Sequence, residues 1–106
     1  MSAKIRFVLQ VRLKAGKLDA FLAGYDALLD RLNQGVPGML AHQACVSLDD
    51  PLACMITSEW ESLDTYQAWE VSPEHRALTL PLRACWDEAK LVKYVIRAEA
   101  RTHTEP

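Results

Sequence analysis

Residues 4–32 read KIRFVLQVRLKAGKLDAFLAGYDALLDRL and change their period once. Up to Leu13 the apolar side chains alternate, with Ile5, Phe7, Leu9, Val11 and Leu13 on one face and Arg6, Val8, Gln10 and Arg12 on the other. That two-residue repeat is a strand with one very apolar face. After Lys14-Ala15-Gly16 the repeat lengthens, and Leu18, Phe21, Leu22, Tyr25, Leu28, Leu29 and Leu32 fall at the spacing of an amphipathic helix. Gly35 and Pro37 stop that helix.

Outward from this pair, Met39–Ser47 and Leu52–Trp60 are extended stretches joined by Asp49-Asp50-Pro51, whose residue types favour a tight reversal. They predict a hairpin. Ser62 sits where an N-cap belongs, and Leu63, Tyr66 and Trp69 mark one side of a short second helix. Ser72-Pro73 is a second start signal, opening a segment through His75 and Leu78 that Pro81 is expected to interrupt. Leu91–Arg97, rich in Val, Ile and Tyr, predicts a closing strand. From Ala100 onward nothing is apolar beyond one alanine, so residues 98–106, with His103, are expected to form a mobile tail.

The order strand, helix, strand, strand, helix, strand is the split βαβ arrangement of an α+β, ferredoxin-like fold with a four-stranded antiparallel sheet, one domain over residues 4–97. Helices cover one face of such a sheet. Unbroken alternation would put Val8, Gln10, Leu40, His42, Ala44 and Val46 on the other face, which is too apolar for water alone and predicts a homodimer.

The net charge is −2 over 106 residues, with both signs interspersed. No basic stripe is available to a phosphate backbone, which argues against nucleic acid as a partner. No run approaches the ~18 apolar residues of a membrane span, so no membrane contact is expected and a cytoplasmic location is. Cys45, Cys54 and Cys85 are odd in number and have no CxxC spacing, which suits buried small hydrophobes in a reducing compartment. His42, Cys45 and Cys54 are the one cluster of metal-ligating types, but alternation separates His42 from Cys45, so no metal site is expected. There is no glycine-rich phosphate loop and no GxSxG elbow.

Two segments carry a resemblance: Val36-Pro37-Gly38-Met39-Leu40 before the second strand, and Ser58-Glu59-Trp60-Glu61-Ser62-Leu63-Asp64-Thr65-Tyr66 where the third strand enters a helix. With the order of elements they resemble the antibiotic biosynthesis monooxygenase family of dimeric α/β barrels. That resemblance implies oxygenation of a polycyclic aromatic, polyketide-like ligand by molecular oxygen, with no cofactor. Trp60 and Tyr66 match the polyketide oxygenases, whereas Ile56 stands in place of their asparagine and Cys45 in place of their second-strand histidine. Haem-degrading members offer an alternative: Trp69 matches their tryptophan, with Leu9 and Leu78 at the positions of their asparagine and histidine. A third reading is an accessory, cyclase-like protein that shapes a polyketide chain without reaction.

Such oxygenation needs a dry aromatic pocket, a proton acceptor and donors for a developing oxyanion. Trp60, Tyr66 and Trp69 are candidate walls, with the Tyr66 hydroxyl as a donor. His75 and Arg83 are the candidate ionisable groups, and Gln43 and Arg76 join Trp69 as candidate substrate contacts. Each also has a structural use: Trp60, Tyr66 and Trp69 as core aromatics, His75 as a solvated first-turn residue, Arg76 and Arg83 as surface charges.

Overall fold

The computed structural model describes residues 3–100 and 102; Arg101 and residues 103–106, including the His103 of the expected tail, lie outside the described residues. Seven elements follow in order: β1 (Ile5–Leu13), α1 (Leu18–Leu32), β2 (Met39–Val46), β3 (Ala53–Trp60), α2 (Leu63–Glu70), α3 (Pro73–Arg83) and β4 (Trp86–Val95). The four strands form one antiparallel sheet in the order β2-β3-β1-β4, so the fold is α+β and ferredoxin-like. Phe7, Val11, Phe21, Leu28, Trp60, Trp69 and Leu82 are buried between sheet and helices.

Local chemistry accounts for the joints. At the β2–β3 reversal the amides of Asp49 and Asp50 donate to Ser47 Oγ, Leu52 N donates to Asp50 Oδ1, and Arg12 pairs with Asp50. Ser62 caps α2 by accepting from Thr65 N at 3.2 Å, and Ser72 caps α3 by accepting from His75 N at 3.1 Å.

Three expectations are corrected. α3 does not break at Pro81 but runs on to Arg83. Proline inside a helix costs about 3 kcal/mol, and here the next residue, Leu82, is only 1 % exposed. It lies against Gly24 of α1, where a Cβ would come 3.1 Å from Leu82 Cδ2, and that burial holds the last turn in place. β4 begins at Trp86 rather than Leu91, because Leu13, Arg12, Val11 and Gln10 of β1 pair with Trp86, Glu88, Ala89 and Lys90. Pairing overrides the weak strand preference of Asp87-Glu88-Ala89-Lys90.

The third correction concerns the faces of β2. Met39 pairs with Trp60 but Ala41 with Glu59, so Leu40 is an extra residue, a β-bulge. Beyond it the parity is reversed: His42, Ala44 and Val46 pair with Ser58, Ile56 and Cys54 and share the helix-covered face with Phe7, Leu9 and Val11. Ala44 and Val46 therefore do not belong to the open face, and His42 points towards the helices. The open face instead carries Val8, Gln10, Gln43, Cys45, Met55, Thr57, Val92 and Tyr94.

Just before the bulge, Gly38 has φ +82° and the amide of Glu61 donates to its carbonyl at 2.8 Å. A Cβ at Gly38 would overlap the Thr65 side chain, so α2 is seated directly on this backbone. Gly35, with φ +97°, faces open space. Both alanine substitutions carry the left-handed backbone cost, but only Gly38→Ala adds the clash. It should lower stability by about 1–3 kcal/mol more than Gly35→Ala in urea unfolding; equal losses would mean that Thr65 yields without cost.

Candidate functional site

A cavity of about 270 Å³ lies between the helix-covered face of the sheet and α2 and α3. Phe7 and Leu9 of β1 and Ile56, Ser58 and Trp60 of β3 form its floor. Tyr66, Trp69 and Glu70 of α2 and His75, Thr79 and Arg83 of α3 close it from above, and Trp86 and Leu91 line the β4 side.

Trp60 is almost fully buried, at 1 % exposure, and its Nε1–H donates to Ser58 Oγ at 2.9 Å. The Tyr66 ring stacks on Phe7 with centroids 3.5 Å apart and meets Trp60 edge-on at 5.5 Å. Its hydroxyl donates to Glu70 Oε2 at 2.7 Å. Burial, that hydrogen bond and the carboxylate charge together raise the phenol above its ordinary range. Trp69 lies under the Arg31 guanidinium, 5.7 Å from its centroid, and touches His75 edge-on at 5.6 Å.

His75 has a buried Nδ1 with no hydrogen-bond partner among the described residues. Burial and then the Arg83 charge push its pKa down, against a weaker upward pull from the Glu70 charge and backbone. At neutral pH the ring is uncharged and keeps a lone pair.

Of the candidates from sequence, Trp60, Tyr66, Trp69, His75 and Arg83 converge on this cavity. Gln43 and Arg76 do not. Gln43 is exposed on the opposite face of the sheet, where it accepts from Thr57 Oγ1 at 3.3 Å, because the bulge turned it outward. Arg76 is exposed on the outer side of α3 and does not line the cavity.

Two residues were missed. Glu70 lies one helical turn after Tyr66, and that four-residue spacing was a usable signal. His42 lines the cavity only because of the bulge, and no local signal in Met39–Val46 marks it. Its Nδ1 lies 2.7 Å from the Tyr25 hydroxyl, and the two rings stack at 5.6 Å. Burial, followed by the charge of His75, lowers the His42 pKa to about 4. Burial raises Tyr25 to about 12, helped by the charge of Cys45. Both are neutral at pH 7.

Cys45 and His42 remain on opposite faces of β2, and among the described residues no three His, Cys, Asp or Glu side chains converge to hold a metal ion. Nor is any helix among the described residues long and apolar enough to cross a membrane.

Comparison with known proteins agrees with this architecture. The chain is 34 % identical over 97 residues to the 42.8 kDa protein in the whiE locus of Streptomyces coelicolor, a match covering 92 % of this chain and 24 % of that protein. It is 38 % identical over 80 residues to protein SchA of Streptomyces halstedii (76 % of this chain, 21 % of SchA) and 33 % identical over 97 residues to polyketide synthase CurD of Streptomyces cyaneus (92 % and 26 %). The chain thus spans about a quarter of the length of the curated relatives it matches. Its fold is shared with a mutant of SnoaB, a cofactor-independent oxygenase from Streptomyces nogalater, at TM-score 0.80 and 16 % identity over 92 % of this chain and 97 % of SnoaB. It is shared also with a conserved protein of Methanosarcina mazei, at TM-score 0.78 and 19 % identity over 87 % and 91 %. The family profile for antibiotic biosynthesis monooxygenase matches residues 5–79, most of the sheet and the helices that roof the cavity, and the chain belongs to that family.

Proposed function

We propose that the cavity binds a planar, polyketide-like aromatic and that the chain oxygenates it with molecular oxygen, without metal or flavin. The observation that carries this reading is the aromatic wall of Phe7, Trp60, Tyr66 and Trp69 around a gap into which a carboxylate, two neutral histidines and an arginine also project. Similarity to a polyketide synthase and to the fold of a cofactor-independent oxygenase supports it. For an anthrone-type ligand the ring methylene becomes a carbonyl. One atom of O2 becomes the carbonyl oxygen, and the other leaves as water with the two methylene hydrogens. The chain's part is to favour the ligand's conjugate base, which passes an electron to O2. Neutral His75 is placed to accept the proton, while Arg83 and Tyr66 stabilise the charge left behind.

Ile56, apolar at the place of the polyketide oxygenases' asparagine, and a Tyr66 hydroxyl already engaged by Glu70 favour one further reading, binding without oxygen consumption. Incubation with an anthrone under oxygen separates the two. Oxygen uptake matched by quinone absorbance is expected, and ligand binding with no uptake would leave the accessory reading. On the oxygenase reading, Tyr66→Phe should lower turnover about 100-fold with little change in affinity, as for loss of one transition-state donor. Trp60→Phe should chiefly weaken binding.

The open face, where Val8 is joined by Met55, Val92 and Tyr94 on neighbouring strands, supports the expected homodimer. Light scattering at micromolar concentration should give twice the 11.9 kDa chain mass, and a monomer would refute it.

His42 also makes stability depend on pH. Its folded pKa of about 4 lies below the unfolded value of 6.5, so the unfolded chain takes up the proton first. Stability from this group is complete above about pH 6.5 and is lost as pH falls towards 4, by about 3 kcal/mol in all. An NMR titration should show the His42 ring neutral down to about pH 4, and a midpoint near 6.5 would contradict its burial.

A further inference from the structure

We propose that His42 holds the anionic oxygen of the bound aromatic through its Nε2–H, with Tyr25 fixing the tautomer that makes this nitrogen a donor. The inference rests on the reading of the cavity as an aromatic-ligand site and names the group that recognises the ligand's phenolic or enolic oxygen.

The argument starts from Tyr25. Its side chain is buried, at 5 % exposure, and among the described residues its hydroxyl has one hydrogen-bond partner, His42 Nδ1 at 2.7 Å. A buried hydroxyl proton needs an acceptor. The hydroxyl therefore donates, Nδ1 accepts with its lone pair, and a neutral ring carries its hydrogen on Nε2. Among the described residues Nε2 has no partner, and His42 lines the cavity.

Three other donors facing the cavity differ. Trp60 Nε1–H is engaged by Ser58, the Tyr66 hydroxyl by Glu70, and the Thr79 hydroxyl by the His75 carbonyl at 2.8 Å. A ligand oxygen can compete for these only by breaking a bond, whereas His42 loses nothing. Arg83 also lines the cavity, from α3, and adds its charge to the bond that His42 makes. The titratable groups around the ring are Tyr25 from α1, Tyr66 and Glu70 from α2, and His75 and Arg83 from α3. Cys45, on the same strand, faces the other way. A neutral imidazole locked as a donor strengthens its bond as negative charge grows on the ligand oxygen and gives up no proton in doing so.

Two measurements test this. Long-range 15N–1H spectra of the free chain should show His42 protonated on Nε2 and bare on Nδ1, with Tyr25→Phe mixing the two tautomers; protonation on Nδ1 in the wild type overturns the proposal. The second uses alizarin, a hydroxyanthraquinone whose colour reports its ionisation. Bound to wild type it should ionise at a pH lower than in free solution, and His42→Leu should reverse that shift by about one unit or more. His42→Gln, which keeps an N–H donor, should restore part of it. An unchanged ionisation in both His42 variants overturns the proposal while leaving the aromatic-ligand reading intact. Dye that does not bind the wild type overturns both. A retained shift with no oxygen uptake from an anthrone removes the oxygenase reading alone.

Discussion

One extra residue decides which side chains of β2 line the cavity. Leu40 has no partner of its own on β3, and the ladder slips by one position between Met39–Trp60 and Ala41–Glu59. Because strand side chains alternate with period two, a single slip exchanges the faces of every residue that follows. His42 turns in to the cavity, while Gln43 and Cys45 turn out to the open sheet. The slip is held on its N-terminal side. Met39 stays paired with buried Trp60, and the backbone at Gly38 cannot move towards α2, because the Thr65 side chain already occupies the space a Cβ would take. The two short segments that carry the family resemblance are thus in contact, one providing the backbone step and the other the helix seated on it.

That seating positions the cavity roof. α2 starts at the Ser62 cap directly above Gly38, and its first turn carries Tyr66 onto Phe7 and against the edge of Trp60. The second turn brings Trp69 and Glu70 to the same side, and Ser72 reverses the chain into α3 with His75 in its first turn. Leu82 then anchors the far end of α3 on Gly24 of α1, so the helix persists through Pro81 and keeps Arg83 in the wall.

Most polar groups in this wall already have partners, which is how a mainly apolar cavity tolerates them. Trp60 is paired to Ser58, Tyr66 to Glu70 and Tyr25 to His42. Burial keeps both histidines uncharged at neutral pH, more strongly His42. Arg83 and Glu70 line the same cavity with opposite charges. These features are the ones on which the proposed flat, largely apolar ligand with a charged oxygen rests.

The amino-acid sequence by itself determined the elements: alternation in Ile5–Leu13, the three- and four-residue repeat in Leu18–Leu32, the Asp49-Asp50-Pro51 reversal and the serine caps all act through neighbours a few positions away. Their order implied the sheet, and five of the candidates line the cavity: Trp60, Tyr66 and Trp69, singled out by the family resemblance, and His75 and Arg83, singled out as the nearest ionisable groups. Tertiary structure decided the rest. Whether β2 keeps its parity depends on where Met39 and Ala41 meet a strand some 20 residues away, and a lone Leu40 among apolar neighbours does not reveal it. Whether Pro81 ends a helix depends on the space that Gly24 leaves for Leu82, and whether Trp86–Lys90 is a strand depends on unpaired β1 backbone waiting beside it. Each outcome turns on a contact between distant parts of the chain, where packing and pairing energies exceed the local preferences that a sequence displays.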